Sequence, residues 1–276
     1  MARSKYWYPD ADVLINIPDI KDPQLLHDFE RQRSALRAME MRLQPIPGEF
    51  DLKHLQQIHQ HLFQDVYPFA GQIRTEDIGK GNFWFCRHTY IEEYASQVFR
   101  ELKGDNYLRG LDVQQFSQKA AYYYSELNVI HPFREGNGRT IREFFRQLSS
   151  HAGYELNWSR VPKQEYMDAV IEANDPNKSD KLIDVFRKCI QPIQEDQERW
   201  IQPEQGTTLK DVLKLTNGLP GKETKMNADI LNKPVDRFQI VKGNGAEKCR
   251  VQFQGEATVN EIRIEKHPFL SKDQKN

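Results

Sequence analysis

Cysteine is scarce in this 276-residue sequence, and its three cysteines lie far apart at Cys86, Cys189 and Cys249. They form neither a CxxC pair nor an even number, which argues against a disulfide framework or a thiolate metal site. The sequence also lacks the run of about 18 apolar residues that a membrane-spanning helix needs, and the apolar core of a signal peptide. We therefore expect a protein with reduced thiols that folds in the cytoplasm, away from membranes.

An excess of charge of either sign is also lacking. The 39 lysines and arginines are balanced by 40 aspartates and glutamates, which leaves a formal net charge of -1. Such a chain has no overall field that would draw it to nucleic acid, so we expect no direct nucleic-acid partner. Hydrophobic residues, at 38%, are numerous enough for one core of ordinary size and a small appendage.

Helical periodicity dominates the chain up to about residue 195. Apolar residues recur three or four positions apart, and the Asp-Pro pair at 22–23 and Asp51 are typical helix-start signals. The predicted helices cover about 23–43, 51–64, 91–102, 113–130, 137–153, 167–173 and 182–190.

The stretch between Arg74 and Arg87 has no helical period. Its centre, Gly79-Lys80-Gly81-Asn82, separates two short runs and supplies residues that tight turns prefer. The aromatic run Phe83-Trp84-Phe85 follows, and such a run more often packs in a core than binds a ligand. We therefore predict a β-hairpin over this stretch.

From about residue 203 the sequence changes character. A short helical run at 209–215 gives way to alternating segments at 238–241 and 249–253, which predict strands. The expected fold is mainly α, a helical bundle with one hairpin, over residues 1–200. Its core would span about 50–195, and residues 201–276 would form a small α/β or β appendage of unknown role.

One segment concentrates residues that can carry chemistry. Residues 131–142 read His-Pro-Phe-Arg-Glu-Gly-Asn-Gly-Arg-Thr-Ile-Arg. Pro132 disfavours helix at the preceding residue, so His131 should end one helix and lie in a loop. The run Gly136-Asn137-Gly138 should open the next helix, where free backbone N–H groups and the positive end of the helix dipole form an anion site. We interpret the segment as a phosphate-binding junction.

The side chains of this segment suit reactions of a nucleoside polyphosphate. His131 can act as a general base. Glu135 offers a hard oxygen to Mg²⁺, and Arg139 and Arg142, three positions apart, can neutralise phosphate charge. Taken singly, each has an ordinary structural interpretation, because an isolated histidine is more often packed and a first-turn glutamate often serves the helix dipole. Their combination in one loop favours the chemical interpretation.

The segment HPFREGNGRTIR resembles the signature of the Fic family, HxFx(D/E)GNGRxxR, and fills every specified position. The resemblance extends through Tyr8-Pro9, the run Tyr67-Pro68-Phe69-Ala70-Gly71-Gln72-Ile73-Arg74, and Ala152-Gly153-Tyr154, and it covers roughly residues 6–195. It implies a Fic-type helical bundle and an enzyme that transfers AMP from ATP to a hydroxyl side chain of a target protein.

The resemblance also implies a role for each motif residue. His131 would be the general base, and Glu135 would hold Mg²⁺ through the phosphates of ATP. The anion hole would consist of Gly136, Asn137 and Gly138. Arg139 would contact the phosphates and Arg142 the γ-phosphate. The hairpin at about 74–87 resembles the family's flap, which docks a target segment by adding a strand.

Many Fic proteins carry an inhibitory helix with the pattern (S/T)xxxE(G/N), whose glutamate pairs with the arginine corresponding to Arg142. Here Thr89 and Glu93 have the spacing, but Tyr94 follows and the segment adjoins the flap. The resemblance therefore implies a separate small antitoxin-like partner that supplies the glutamate.

Two alternatives remain open at the level of sequence. The same scaffold could transfer UMP, phosphocholine or a phosphoryl group, although Doc-type kinases have lysine where Gly138 stands here. The bundle could also be an inert binding module whose last 70 or so residues contact nucleic acid or a partner. Whether the protein is a bacterial toxin or an effector secreted into a host cell is not readable, nor is its target.

Overall fold

The computed structural model describes residues 4–81, 83–175, 177–193, 201–215, 218–220, 228–243 and 246–266. The chain divides into two compact units. The first comprises Met1–Arg37 and Pro45–Glu195, and the second comprises Ala38–Gln44 and Asp196–Asn276. Within the described ranges, no helix is both long and apolar enough to cross a membrane.

Helices form most of the first unit, and the prediction of a mainly α fold is confirmed. They are α1 (Pro23–Leu43), α2 (Leu52–Phe63), α3 (Ile91–Gly104), α4 (Val113–Ile130), α5 (Asn137–His151), α6 (Lys163–Glu172) and α7 (Asp180–Cys189). The first unit also contains strands β1 (Gly79–Lys80), β2 (Phe83–Trp84), β3 (Tyr154–Leu156) and β4 (Ile190–Pro192).

The starts of two helices follow from side-chain caps. Asp51 accepts the backbone N–H of His54 at 2.8 Å and so satisfies an orphan donor at the start of α2. Asp112 and Gln115 form a reciprocal capping box at the start of α4. Downstream, α4 and α5 bury Phe116, Phe144 and other large apolar side chains, so the junction between these two helices rests on a packed core.

Antiparallel pairs of strands complete the first unit. The hairpin predicted at 74–87 is present, with Lys80 paired to Phe83, although its predicted turn residue Asn82 lies outside the described residues. The pairing of β3 with β4 was not predicted. Strands of three residues are too short to show an alternation of apolar and polar positions.

The second unit contains a four-stranded antiparallel sheet in the order β5-β8-β7-β6. Its elements are α8 (Leu209–Leu215), β5 (Gly218–Pro220), α9 (Ala228–Leu231), β6 (Val235–Gly243), β7 (Ala246–Phe253) and β8 (Val259–Lys266). The predicted helix at 209–215 and strands at 238–241 and 249–253 are confirmed within these bounds. Strand β8 was missed because its apolar residues do not alternate strictly.

The last six residues of α1 and Gln44, which follows the helix, belong to the second unit as Ala38–Gln44. Met39 and Met41 are fully buried there, and the hydroxyl of Thr207 lies 3.4 Å from the sulfur of Met39. Nothing in the periodicity of α1 distinguishes these residues from the turns before them. A single helix therefore contributes to both units.

Candidate active site

His131 occupies the C-terminal end of α4, where the sequence predicted a helix boundary. Its backbone adopts the left-handed conformation, with φ 46° and ψ 61°, and its N–H still donates to the carbonyl of Leu127 at 3.0 Å. This conformation costs a side chain roughly 1–2 kcal/mol, so surrounding contacts must hold it. The turn carries the chain from α4 into the motif loop.

The imidazole of His131 is held as a neutral base. Its Nδ1 lies 3.0 Å from the carbonyl oxygen of Asn128, which assigns the proton to Nδ1 and leaves Nε2 as an acceptor. The ring stacks on Phe85, with centroids 3.7 Å apart. The pKa of His131 is lowered to about 4, mainly by burial and to a smaller extent by the nearby charges of Arg74 and Lys80.

Helix α5 begins directly after the motif loop and directs its N-terminus at the same region. Gly136 is its N-cap and has a φ of 80°, which favours glycine. A Cβ on Gly136 would lie 2.3 Å from the ring of Phe63, so packing also requires this glycine. A Cβ on Gly138 would meet only Nη1 of Arg142, at 3.5 Å. The backbone is therefore more open to a ligand at Gly138 than at Gly136.

The side chain of Asn137 shapes the loop rather than facing a ligand. Its Oδ1 accepts the N–H of Phe133 at 2.9 Å, and its Nδ2 donates to the carbonyl of the same residue at 2.8 Å. Asn137 is buried, and both polar atoms of its amide are engaged by these two bonds. Its backbone N–H, in the first turn of α5, is the group it can offer to an anion.

Glu135 projects beside the start of α5 with 45% of its side chain exposed. One carboxylate oxygen accepts the N–H of Gly136 at 2.8 Å. Among the described residues, no group of three His, Cys, Asp or Glu side chains could hold a metal ion. A single exposed carboxylate at an anion site fits Mg²⁺ that arrives with a nucleotide, because phosphates and water can supply the other ligands.

Arg139 is engaged by α1. It forms an ion pair with Glu30, donates to the hydroxyl of Ser34 at 3.0 Å, and lies 3.7 Å from a carboxylate oxygen of Glu135. The hydroxyl of Tyr67 also donates to Glu30, so this buried carboxylate receives two donors. Sequence reasoning missed Glu30 and Ser34, since they lie about a hundred residues before the motif and match no pattern.

Arg142 contacts a different part of the bundle. Its guanidinium lies over the ring of Tyr166, 5.5 Å from the centroid, and its Nη1 is 3.3 Å from the hydroxyl of that tyrosine. Tyr166 lies on α6, and its hydroxyl is hydrogen-bonded to that of Tyr124 on α4. The two motif arginines share one helix, but Arg139 pairs with Glu30 on α1 whereas Arg142 contacts Tyr166 on α6.

His59 joins two loops beneath the motif. Its Nδ1 accepts the N–H of Gly71 at 2.8 Å, and its Nε2 lies 2.9 Å from the carbonyl of Glu135. The ring stacks on Phe133 at 3.9 Å. Burial lowers the pKa of His59 to about 4, which keeps it neutral as both bonds require. The sequence signal that could have predicted a buried His59 was its position next to Ile58 on the apolar face of α2.

The flap, defined here as Arg74–Arg87, is attached to the end of α4. The N–H of Phe85 donates to the carbonyl of Ile78 at 3.2 Å, and the N–H of Cys86 donates to that of Val129 at 2.9 Å. Trp84, the residue before Phe85, is 71% exposed. The second arm of the flap therefore leads from an exposed strand to Phe85, whose ring stacks on His131.

Residues 49–149 match the Fic/DOC family. The chain is 46% identical over 172 residues to the protein adenylyltransferase VbhT of Bartonella schoenbuchensis, a match that covers 62% of this chain and 36% of that protein. It is 40% identical over 168 residues to the probable protein adenylyltransferase Fic of Escherichia coli, which covers 61% of this chain and 83% of that protein. The chain thus spans only about a third of the first relative but most of the second.

Solved structures are similar as well. A Fic domain from Bartonella quintana with bound ADP is 30% identical, with a TM-score of 0.64, and the match covers 68% of this chain and 95% of that one. The type IV secretion system effector protein BepA, at 24% identity and a TM-score of 0.62, is matched over 91% of this chain and 86% of its own. The second likeness concerns the fold alone.

Proposed function

Because this chain belongs to the Fic/DOC family, we propose that it is a protein adenylyltransferase, which transfers AMP from ATP to a hydroxyl side chain of another protein. The observation that carries the proposal is a neutral His131, with Nε2 as an acceptor, at a junction whose next helix directs its N-terminus at the same loop. The two relatives are named as adenylyltransferases, and the B. quintana domain was solved with ADP, which supports ATP as the nucleotide.

The reaction is an in-line displacement at the α-phosphorus of ATP. Nε2 of His131 takes the proton of the acceptor hydroxyl as its oxygen forms a bond to that phosphorus. The bond from the α-phosphorus to the bridging oxygen of the β-phosphate breaks, and pyrophosphate leaves with the electron pair. Backbone N–H groups of Asn137 and Gly138 stabilise the charge on the phosphates. General-base catalysis of this kind contributes about 10²- to 10⁴-fold.

We assign the phosphate contacts to Arg139 and Arg142, with Arg142 at the γ-phosphate. Their guanidinium groups suit multidentate contacts with phosphate oxygens. Glu135 would hold Mg²⁺, which neutralises phosphate charge when it is bound. For Arg139, the pair with Glu30 fixes where the guanidinium can reach.

Two partners belong to the proposal. The target protein docks along the flap by backbone pairing, which demands little of its sequence. A small antitoxin-like protein supplies an inhibitory glutamate toward Arg142, since Thr89 and Glu93 do not complete the inhibitory pattern. Co-purification of the chain with such a protein would support this partner, and full inhibition without one would count against it.

The test uses ATP labelled on the α-phosphate, with Mg²⁺, in bacterial and in eukaryotic lysate. We expect α-labelled protein bands with the unaltered chain and none with His131→Ala. Label from the γ-phosphate, which kinases of the lysate also transfer, should be the same with both proteins. His27→Ala, which changes an exposed histidine of α1, is the matched control and should retain full transfer. The lysate that supplies the band distinguishes an endogenous bacterial target from a host target.

Other outcomes would change the assignment. Label from the γ-phosphate that disappears with His131→Ala would indicate phosphoryl transfer by this chain. Nucleotide binding without transfer of any label from ATP would favour UMP or phosphocholine as the transferred group. Absence of nucleotide binding would indicate an inert module and would overturn the proposal.

A further inference from the structure

Arg74 is a buried cation that the reaction described above does not use. Its side chain is only 1% exposed, and it is among the largest side chains that the described structure buries completely. The described ion pairs give it one long contact, 4.0 Å from Nη1 to Asp77, whose carboxylate is itself 43% exposed. Burial lowers the pKa of the guanidinium, which shows that its environment disfavours the charge. Hydrogen bonds must therefore offset the cost of burying it.

Those hydrogen bonds run to backbone carbonyls in two parts of the fold. Nε donates to the carbonyl of His131 at 2.9 Å, and Nη2 donates to that of Ile130 at 3.3 Å, both at the end of α4. Nη1 donates to Glu76 at 2.7 Å, and Nη2 also donates to Cys86, which lie on the two arms of the flap. We call Glu76 and Cys86 the root of the flap. One guanidinium thus joins this root to the end of α4, where His131 lies.

Only arginine can make this set of contacts. The last carbonyls of a helix lack partners within the helix and carry the negative end of its dipole, so a cation is favoured there. The planar guanidinium has five N–H donors in a fixed fork, whereas a lysine ammonium has three on a flexible stem. Lysine at position 74 would keep the charge and lose the simultaneous grip on both arms.

The same side chain supports the unusual backbone of His131. With a φ of 46°, His131 needs contacts that hold it in the left-handed region. Nε of Arg74 bonds its carbonyl, and the backbone N–H of Arg74 donates to the carbonyl of Pro132 at 2.9 Å. Two successive peptide groups after α4 are therefore tied to one residue.

We propose that Arg74 is a positioning residue of the transfer reaction, which fixes the position of the root of the flap relative to His131. A target docked on the flap would then present its hydroxyl at a fixed place relative to Nε2 of His131. Arg74 touches no reacting atom. The inference rests on the proposed function, because it specifies how that site aligns base and acceptor.

The test compares Arg74→Lys with Arg146→Lys in the full chain. Arg146 is a matched control because its side chain is 13% exposed and is held by hydrogen bonds to Glu143, away from the flap. We expect Arg74→Lys to lower kcat by about 10- to 100-fold, since misplacement by about 1 Å can cost 10²-fold. The affinity for ATP should change by less than about twofold, because α5 is not altered. A parallel loss of ATP affinity would overturn the proposal, as would an unchanged kcat.

A second readout does not depend on transfer. In ¹⁵N-histidine NMR, with the His131 signal assigned by its absence in His131→Ala, Arg74→Lys should shift the nitrogen resonances of His131 and Arg146→Lys should not. If the unaltered chain transfers no label, the proposed function fails while this signal still decides the role of Arg74. An unshifted His131 signal would overturn that role. If Arg74→Lys does not unfold cooperatively, the same measurements are made on Arg74→Gln. If neither variant folds, Arg74 serves stability alone and the proposal is overturned.

Discussion

At the scale of single residues, the base proposed at His131 is kept neutral by a backbone carbonyl, an aromatic ring and burial. The carbonyl of Asn128 fixes the tautomer, and the ring of Phe85 removes water from one face. Burial and the charge of Arg74 both disfavour the imidazolium. The histidine therefore stays unprotonated well below neutral pH.

The pH dependence of transfer should reflect this depressed pKa. The base acts in its neutral form, so activity is lost as pH falls through the folded pKa of about 4. We expect kcat/KM to remain flat from about pH 8 to about pH 5.5 and to decline only below that, measured by label transfer at saturating Mg²⁺. An acid limb centred near 6.5 would contradict the burial of the imidazole.

His59 should make stability depend on pH. Its folded pKa of about 4 lies below the unfolded value of 6.5, so its contribution is complete above pH 6.5 and is lost as pH falls toward 4. A tenfold change in proton affinity corresponds to about 1.4 kcal/mol, which gives a loss of about 3 kcal/mol across that window. In urea unfolding, His59→Phe should reduce the dependence by that amount, and His27→Ala should leave it unchanged. Equal slopes for His59→Phe and the unaltered chain would contradict the assignment.

Sequence reasoning found the residues that a pattern defines and missed those defined by distant contacts. The helix boundary at His131 followed from Pro132, although its left-handed backbone was not predicted, and the helix start at 137 followed from the glycines. Glu30, His59 and Arg74 were not assigned roles, since their partners in the motif lie 57 to 109 positions away in the chain. The sequence also explained only in part why position 136 is glycine, because Phe63, which a Cβ there would meet, lies outside the motif.

At the scale of elements, the flap is an open edge beside the base. In an antiparallel pair the backbone groups point alternately toward and away from the partner strand. Because Phe85 donates to Ile78, the N–H of Trp84 points away from β1. A strand added along β2 would pass Phe85 and reach His131.

Trp84→Pro should therefore impair docking without disturbing the nucleotide. Proline removes the outward N–H, and Trp84→Ala, the matched control, removes only the exposed ring. We expect Trp84→Pro to reduce transfer to a protein target by at least about tenfold while ATP affinity is preserved. Transfer by Trp84→Pro equal to that by Trp84→Ala would show that the target does not pair along β2.

The elements themselves were predictable in proportion to their length. Helices such as α2 and α4 have caps and several apolar turns, so both their presence and their bounds were close to the prediction. The predicted helix at 167–173 began too late, since α6 starts at Lys163 before its apolar face is established. Strands β3 and β4 are recognisable only through their pairing.

At the scale of the whole molecule, the assignment of Ala38–Gln44 to the second unit affects any attempt to isolate the first. A chain that ends at residue 193 would retain α1 but lose the residues that bury Met39 and Met41. Exposing a buried methionine costs about 1.5–3 kcal/mol. We expect faster hydrogen exchange at 38–44 in the shortened chain than in the full chain. We also expect the shortened chain to self-associate, as measured by light scattering. Met39→Lys with Met41→Lys in the shortened chain should restore the monomer, and unchanged protection at 38–44 would contradict the prediction.

The shared helix also bears on how the protein folds as it is made. A ribosome releases α1 early. Glu30, in the first half of α1, can contact Tyr67 and Arg139 once residues up to about 150 have emerged. Its last two turns must wait for residues 201–266, which are synthesised much later. Domains tend to fold in the order of synthesis. A translating chain therefore passes through a stage in which the start of α1 is packed in the first unit and its end is still exposed to water. Met39 and Met41 stay exposed to water during that stage.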